Sequence, residues 1–128
     1  RFLGESEAAS ETVALASYPR SGNSLLRFLI EAMSGVVTGS DTSPTRTLSR
    51  ALQECGVRGE GVVDRRVHVV KTHFPERVGL GPFEARRAIL LVRNPFEAVD
   101  SYFNMALTNS HDRTMHDSQY VRFRDLFR

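Results

Sequence analysis

Three short apolar runs, each broken off by a polar cluster that carries a cation, constrain this chain more than any other feature. TVALASYP (12–19) runs into Arg20, Ser21, Gly22, Asn23 and Ser24. VHVVKTHFP (67–75) carries Lys71, Thr72 and His73 near its end, and AILLVRNP (88–95) closes on Arg93 and Asn94. Short apolar runs bounded by Pro and Gly read as buried strands, and the unbroken third run suits a strand covered by helices on both faces. Between and after them the spacing turns helical. NSLLRFLIEAMSG places Leu25, Leu26, Leu29, Ile30 and Met33 at helical intervals, with Gly35 beyond the end. PFEAVDSYFNMAL puts Phe96, Val99, Phe103 and Leu107 on a stripe expected to face the core. Strands alternating with helices predict an α/β architecture, a parallel sheet flanked by helices with right-handed crossovers. In such sheets ligands bind beyond the carboxyl ends of the strands, and those ends are where the polar clusters fall.

The remaining segments fill in the plan. Residues 1–11 lack periodicity and read as a frayed leading segment, so that 12–128 forms the domain. VVTGSDTS reads as a loop; SPTRTLSRALQECG reads as a second helix with Ser43 as N-cap, Pro44 at its first position and Gly56 past its end. VRGEGVVDRR (57–66) reads as a surface connection, PFEARR as a short helix, and QYVRFRDLFR as the start of a last helix. At 128 residues the chain has room for one domain; it starts at Arg1 rather than Met and stops inside a helical pattern, so it is expected to be a piece truncated at the C-terminus.

Seventeen basic against fifteen acidic residues leave a formal charge of +2, which supports neither a nucleic-acid partner nor a membrane surface. An anion site must therefore be local. No apolar run approaches the roughly 20 residues that cross a bilayer, so no membrane segment is expected. Cys55 is the single cysteine, which excludes an intrachain disulfide, a CxxC pair or a cysteine zinc site; it is expected buried at a helix end. His68, His111 and His116 lack company and are expected on surfaces or loops, and the spacing of His111 and His116 beside Asp112 and Asp117 suits no common metal site.

Each strand end can bind or protonate an anion. In the first loop, Gly22 permits a sharp turn, the N–H groups at residues 21–25 open a helix whose positive dipole end attracts an anion, Ser24 adds a hydroxyl and Arg20 a fixed charge. Against the triphosphate loop GxxxxGK[ST], Ser17 stands for the first Gly and Asn23 for the Lys, and neither VHVVKTH nor AILLVRN ends in an aspartate for a metal. The alternative is a strand-to-helix turn with no ligand. Lys71 and His73, two apart on a strand, point the same way; histidine can take a proton from a hydroxyl and lysine can stabilise charge on an oxygen, although lone strand histidines are more often structural. Arg93 and Ser101 could hold a phosphate between them, or Arg93 could pair with Glu97 or Asp100.

Together these residues resemble the sulfotransferase family, which uses 3'-phosphoadenosine-5'-phosphosulfate (PAPS) as donor. YPRSGNSLL is similar to the family's 5'-phosphosulfate motif, VVKTHFP to its KTHxP segment, and ILLVRNPFEAVDSYFN to its 3'-phosphate motif RNPxxxxxS, in the same order from about residue 12 to 107. YPRSGNSLLRFLIE, VVTGS and AILLVRNP are also similar to the WSC-domain-containing branch, for which the resemblance implies sialic acid on glycans as acceptor. The resemblance implies a P-loop NTPase-like sulfotransferase fold and no metal. It places Arg20, Ser21, Gly22, Asn23, Ser24 and Leu25 around the 5'-phosphosulfate and nucleotide, and Arg93 and Ser101 on the 3'-phosphate. Lys71 would act at the sulfuryl oxygens, with Arg20 sharing that charge, and His73 would be the general base for an acceptor hydroxyl.

The chain departs from the cytosolic pattern where Leu25 stands for a tryptophan and Asn23–Ser24 for a Thr pair, and it ends before the family's later glycine- and arginine-rich segment. Two other functions fit parts of the pattern: a nucleotide-kinase-like phosphotransferase, and a non-catalytic module that binds a nucleotide or sulfated glycan. Golgi lumen and cytoplasm fit the chain equally.

Overall fold

The computed structural model describes residues 1–75 and 79–123. Its centre is a four-stranded, all-parallel sheet in the order β2-β3-β1-β4, with helices flanking it. The elements are β1 (Val13–Ser17), α1 (Asn23–Ser34), β2 (Gly39–Ser40), α2 (Thr47–Glu54), β3 (Val69–His73), β4 (Arg87–Leu91), α3 (Pro95–Thr108) and α4 (Asp117–Phe123). Residues 124–128, at the end of the expected last helix, lie outside the described residues.

β1 is the central strand. Val13 to Ser17 run in register with Val69 to His73 on one side and with Arg87 to Leu91 on the other. After β1 the chain builds β2 and β3 on one flank and β4 on the other, so the sheet order reverses at the carboxyl end of β1. Connections then leave on opposite sides and open a crevice there. Ser17, His73 and Leu91 end level with one another, which sets the three polar clusters on one rim.

Several elements differ from the sequence expectation, each for an identifiable reason. VVTGSDTS contains β2, a two-residue strand that pairs Gly39 with Val70 and Ser40 with Lys71. Its shortness and its glycine hide it from periodicity. The 57–66 stretch is not merely a surface connection: Val57 and Glu60 are buried, Glu60 bridges Ser40, and Ser40 N donates to Val62 O at 3.1 Å, so the segment covers the free edge of β2. α2 begins at Thr47, after Ser43 and Pro44, because the Ser43 hydroxyl bonds Thr45 in a local turn instead of capping a helix. PFEARR forms no helix; Arg87 already belongs to β4. Residues 1–11 are tied down by Leu3 N to Arg66 O and Ala9 N to Arg65 O, with Leu3 and Ala9 buried. Cys55 is exposed at the end of α2, not buried.

The core lies on the β1–β3 side, where Leu15, Val37, Val57, Val67 and Val70 are buried. β4 is an edge strand with Leu90 72% exposed, so its apolar run is not covered on both faces. The expected core stripe of α3 is likewise turned outward at Phe96, Val99 and Leu107, while Ala98 and Asn104 are its buried residues. In α1 the buried positions are the polar Asn23 and Arg27, one helical turn apart, and Leu25, Leu29 and Met33 face out.

Arg27 explains that inversion. Its side chain is fully buried, pairs with the equally buried Glu60, and donates from Nε to Thr38 Oγ1 (2.8 Å) and from Nη2 to Thr38 O (3.0 Å). Glu31 completes the group by accepting from Thr38 N and Oγ1. A buried charge is tolerated only when paired and hydrogen-bonded, and this network clamps α1 to the loops beside β2.

Candidate functional site

The loop between β1 and α1 is shaped by two left-handed residues, Arg20 (φ 66°) and Gly22 (φ 98°). Glycine adopts this conformation freely; arginine does so at a cost on the order of 1 kcal/mol, and Arg20 is held there by its contacts. Ser21 N reaches back to Tyr18 O, and Leu26 N makes the first bond to Gly22 O. The N–H groups of Asn23, Ser24 and Leu25 therefore have no intrahelical acceptor, no side chain caps α1, and its first turn holds no acid. Those donors and the positive dipole end face a cleft of about 910 Å³.

The cleft gathers most of the residues singled out by sequence. Arg20, Ser21, Gly22, Asn23, Ser24 and Leu25 line it from the loop, Lys71 and His73 from β3, and Arg93 from beyond β4. Arg46, at the start of α2, adds a fourth cation, and no carboxylate is among the described lining residues. Such a site attracts a multiply charged anion.

His73 Nδ1 lies 3.2 Å from Ser17 O and 3.2 Å from Ser17 Oγ. A carbonyl only accepts, so Nδ1 carries the proton and Nε2 keeps its lone pair. Burial first, then the Lys71 cation, push His73 down to about 4, against the Ser17 carbonyl, which favours the charged form. At neutral pH the ring is an uncharged base. Lys71 Nζ donates to Thr42 Oγ1 at 3.3 Å, which ties β3 to the end of β2.

Three assigned side chains have partners that the sequence did not indicate. Ser101 Oγ accepts from Arg20 Nε at 2.9 Å. Arg93 donates to Arg20 O (2.9 Å) and also makes the pair with Glu97 (3.2 Å). Asn23 turns its amide inward, donating to Leu15 O and Ser17 Oγ.

Two charged or titratable residues of the cleft, Arg46 and His111, are not among those the sequence singles out. Arg46, which the spacing puts inside a helix, stands just before the start of α2. His111, expected to lack company, accepts from Arg20 Nη1 at Nδ1 (2.8 Å) and from Nη2 at its carbonyl (3.2 Å). The two residues are ninety-one positions apart, and no local pattern announces such a contact. His68 and His116 are exposed, and the described residues hold no group of three or more metal-ligating side chains.

The structure also supplies a strand-end aspartate, Asp41, directly after β2. It accepts from Thr72 Oγ1 at 2.5 Å, is buried, and does not line the cleft.

No protein-family model matches the chain, and no solved structure matches it significantly. Curated relatives do. A WSCD family member of Drosophila pseudoobscura pseudoobscura is 38% identical over 98 residues, covering 77% of this chain and 29% of the relative. One from Drosophila melanogaster is 40% identical over 91 residues (71% and 26%), and one from Aedes aegypti 37% over 100 residues (78% and 29%). The chain thus matches under a third of the length of these relatives. No helix among the described residues is long and apolar enough to cross a membrane.

Proposed function

We propose that this chain carries the donor-binding and catalytic part of a sulfotransferase with a P-loop-like fold, which moves a sulfuryl group from 3'-phosphoadenosine-5'-phosphosulfate to an acceptor hydroxyl. The observation that carries the proposal is the meeting of Arg20, Lys71, Arg93 and a neutral His73 in one cleft whose described lining residues include no carboxylate, at the reversal point of a parallel sheet. The similarity to WSCD family members supplies a family name and no chemistry; a glycan hydroxyl as acceptor rests on the motif resemblance alone.

The residues divide the work. The α1 N-terminus and Arg20 take the 5'-phosphosulfate, and Arg93 the 3'-phosphate. His73 Nε2 takes the proton of the acceptor hydroxyl as that oxygen bonds to sulfur in line. Lys71 and Arg20 stabilise the negative charge that collects on the 5'-phosphate as the bond from sulfur to the bridging oxygen breaks, leaving adenosine 3',5'-bisphosphate. Leu25, 65% exposed beside the loop, offers an apolar surface to the nucleoside.

Calorimetric titration tests the reading. Adenosine 3',5'-bisphosphate should bind without metal and more tightly than ATP with Mg²⁺. Tighter binding and turnover of Mg-ATP would instead make it a phosphotransferase, and bisphosphate binding without transfer to any hydroxyl acceptor would make it a binding module.

A further inference from the structure

His111 lies on the polar segment after α3, a part of the chain to which the reaction above assigns nothing. That segment is fixed at both ends: Asn109 ends α3 in the left-handed conformation, and Met115 N donates to Asn104 Oδ1 at 2.9 Å. Between them His111 reaches the cleft, where its ring and main chain both accept from the Arg20 guanidinium. With Ser101 taking Nε, three acceptors from α3 and its following loop fix the plane of one guanidinium. An arginine in a left-handed backbone has no such orientation by default, so it must be imposed from outside.

We propose that His111 is a positioning residue for Arg20: the lone pair on Nδ1, together with the His111 carbonyl and Ser101 Oγ, aims the guanidinium that the cleft presents to an anion. This deepens the sulfotransferase reading and rests on it for the identity of that anion, but the Arg20–His111 coupling stands apart from it. Guanidinium nitrogens only donate, so Nδ1 must be unprotonated and the proton must sit on Nε2. The charged and polar groups that face the ring agree. Burial and then the Arg20 cation disfavour the imidazolium, Asp112 favours it, Lys71 disfavours it, and the Leu48 backbone favours it, with a net downward shift. Protonating Nδ1 would set a donor against a donor and release the arginine.

The coupling is read on the protein by imidazole ¹⁵N NMR. In the wild type, His111 should show an unprotonated Nδ1 and a protonated Nε2, and Arg20→Met should raise its pKa because the nearby cation and its N–H are gone. A protonated Nδ1, or a His111 titration unmoved by Arg20→Met, overturns the proposal. Binding of adenosine 3',5'-bisphosphate then separates positioning from packing. Asparagine carries an oxygen where histidine has Nδ1, so His111→Asn should keep near wild-type affinity while His111→Leu loses about tenfold. Equal loss in both variants overturns the proposal. A wild type that binds no bisphosphate but shows the NMR coupling would retire the sulfotransferase reading and leave the positioning of Arg20 standing.

Discussion

His73 Nδ1 sits 3.2 Å from the main-chain oxygen of Ser17, a residue at the same level on the neighbouring strand. That single contact fixes the tautomer and turns Nε2 into the available base. His73→Asn keeps a donor for Ser17 O and removes the base, so it should lower sulfuryl transfer by about 10²- to 10⁴-fold and leave bisphosphate affinity within a few-fold. Single-turnover rates and calorimetry on the same preparation check this. Loss of affinity on the scale of the loss of rate would contradict the assignment.

The same histidine makes stability depend on pH. Its pKa falls from 6.5 to about 4 on folding, so between those values the unfolded chain binds a proton that the folded chain refuses. Stability is therefore lost as pH falls through that window, by about 2 kcal/mol between pH 7 and pH 5. His111 shifts in the same direction and is present in both proteins, so the difference between wild type and His73→Asn isolates His73. Urea denaturation at the two pH values should show a loss smaller by that amount in the variant; equal losses would mean that His73 titrates normally.

Arg93 joins the site through Arg20 O and is partly engaged by Glu97. Exposed pairs of this kind contribute little to stability, so the residue is available for a ligand. Arg93→Ala should weaken bisphosphate binding by about tenfold or more and change the denaturation midpoint little. Adenosine 5'-monophosphate, which lacks the 3'-phosphate, should bind both proteins alike. An equal drop for both nucleotides would place Arg93 elsewhere on the ligand.

The site was more legible than the fold around it. Arg20, Lys71, His73 and Arg93 declare themselves because each follows an apolar run, and register between parallel strands brings those ends together without further information. What stayed hidden is non-local. β2 is two residues long, Asp41 gains a strand-end position only through it, and His111 meets Arg20 across ninety-one residues. Helical spacing correctly gave α1 and α3 but not their orientation, because Arg27 and Glu60 draw the polar side of α1 inward and leave Leu25 and Leu29 outside. Periodicity reports that one face differs from the other; the partner decides which is buried.

Arg27 and Glu60 also give a stability prediction unconnected with chemistry. Both side chains are fully buried, and removing one partner leaves the other as an uncompensated charge. Glu60→Ala or Arg27→Ala should each cost about 3–5 kcal/mol, and the double variant less than the sum. Denaturant titration of the four proteins measures the coupling. Additive losses would show that the pair acts only as packing.

Two glycines separate local backbone conformation from steric room. Gly22 has a positive φ and nothing near the position of a Cβ, so Gly22→Ala meets no clash and costs the left-handed conformation alone, about 1–2 kcal/mol. Any relaxation of φ moves the N–H groups of α1 that face the cleft, so bisphosphate affinity should fall as well. Gly39 has an ordinary φ, but a Cβ there would overlap Val62 O and crowd Val67 Cγ2, because the 57–66 segment lies directly on β2. Gly39→Ala should destabilise by about 2 kcal/mol or more through that overlap, while the molecules that remain folded bind normally. Denaturation midpoints paired with calorimetry should show affinity lost at position 22 and kept at position 39; the reverse pattern would mean that the loop before α1 does not hold the anion.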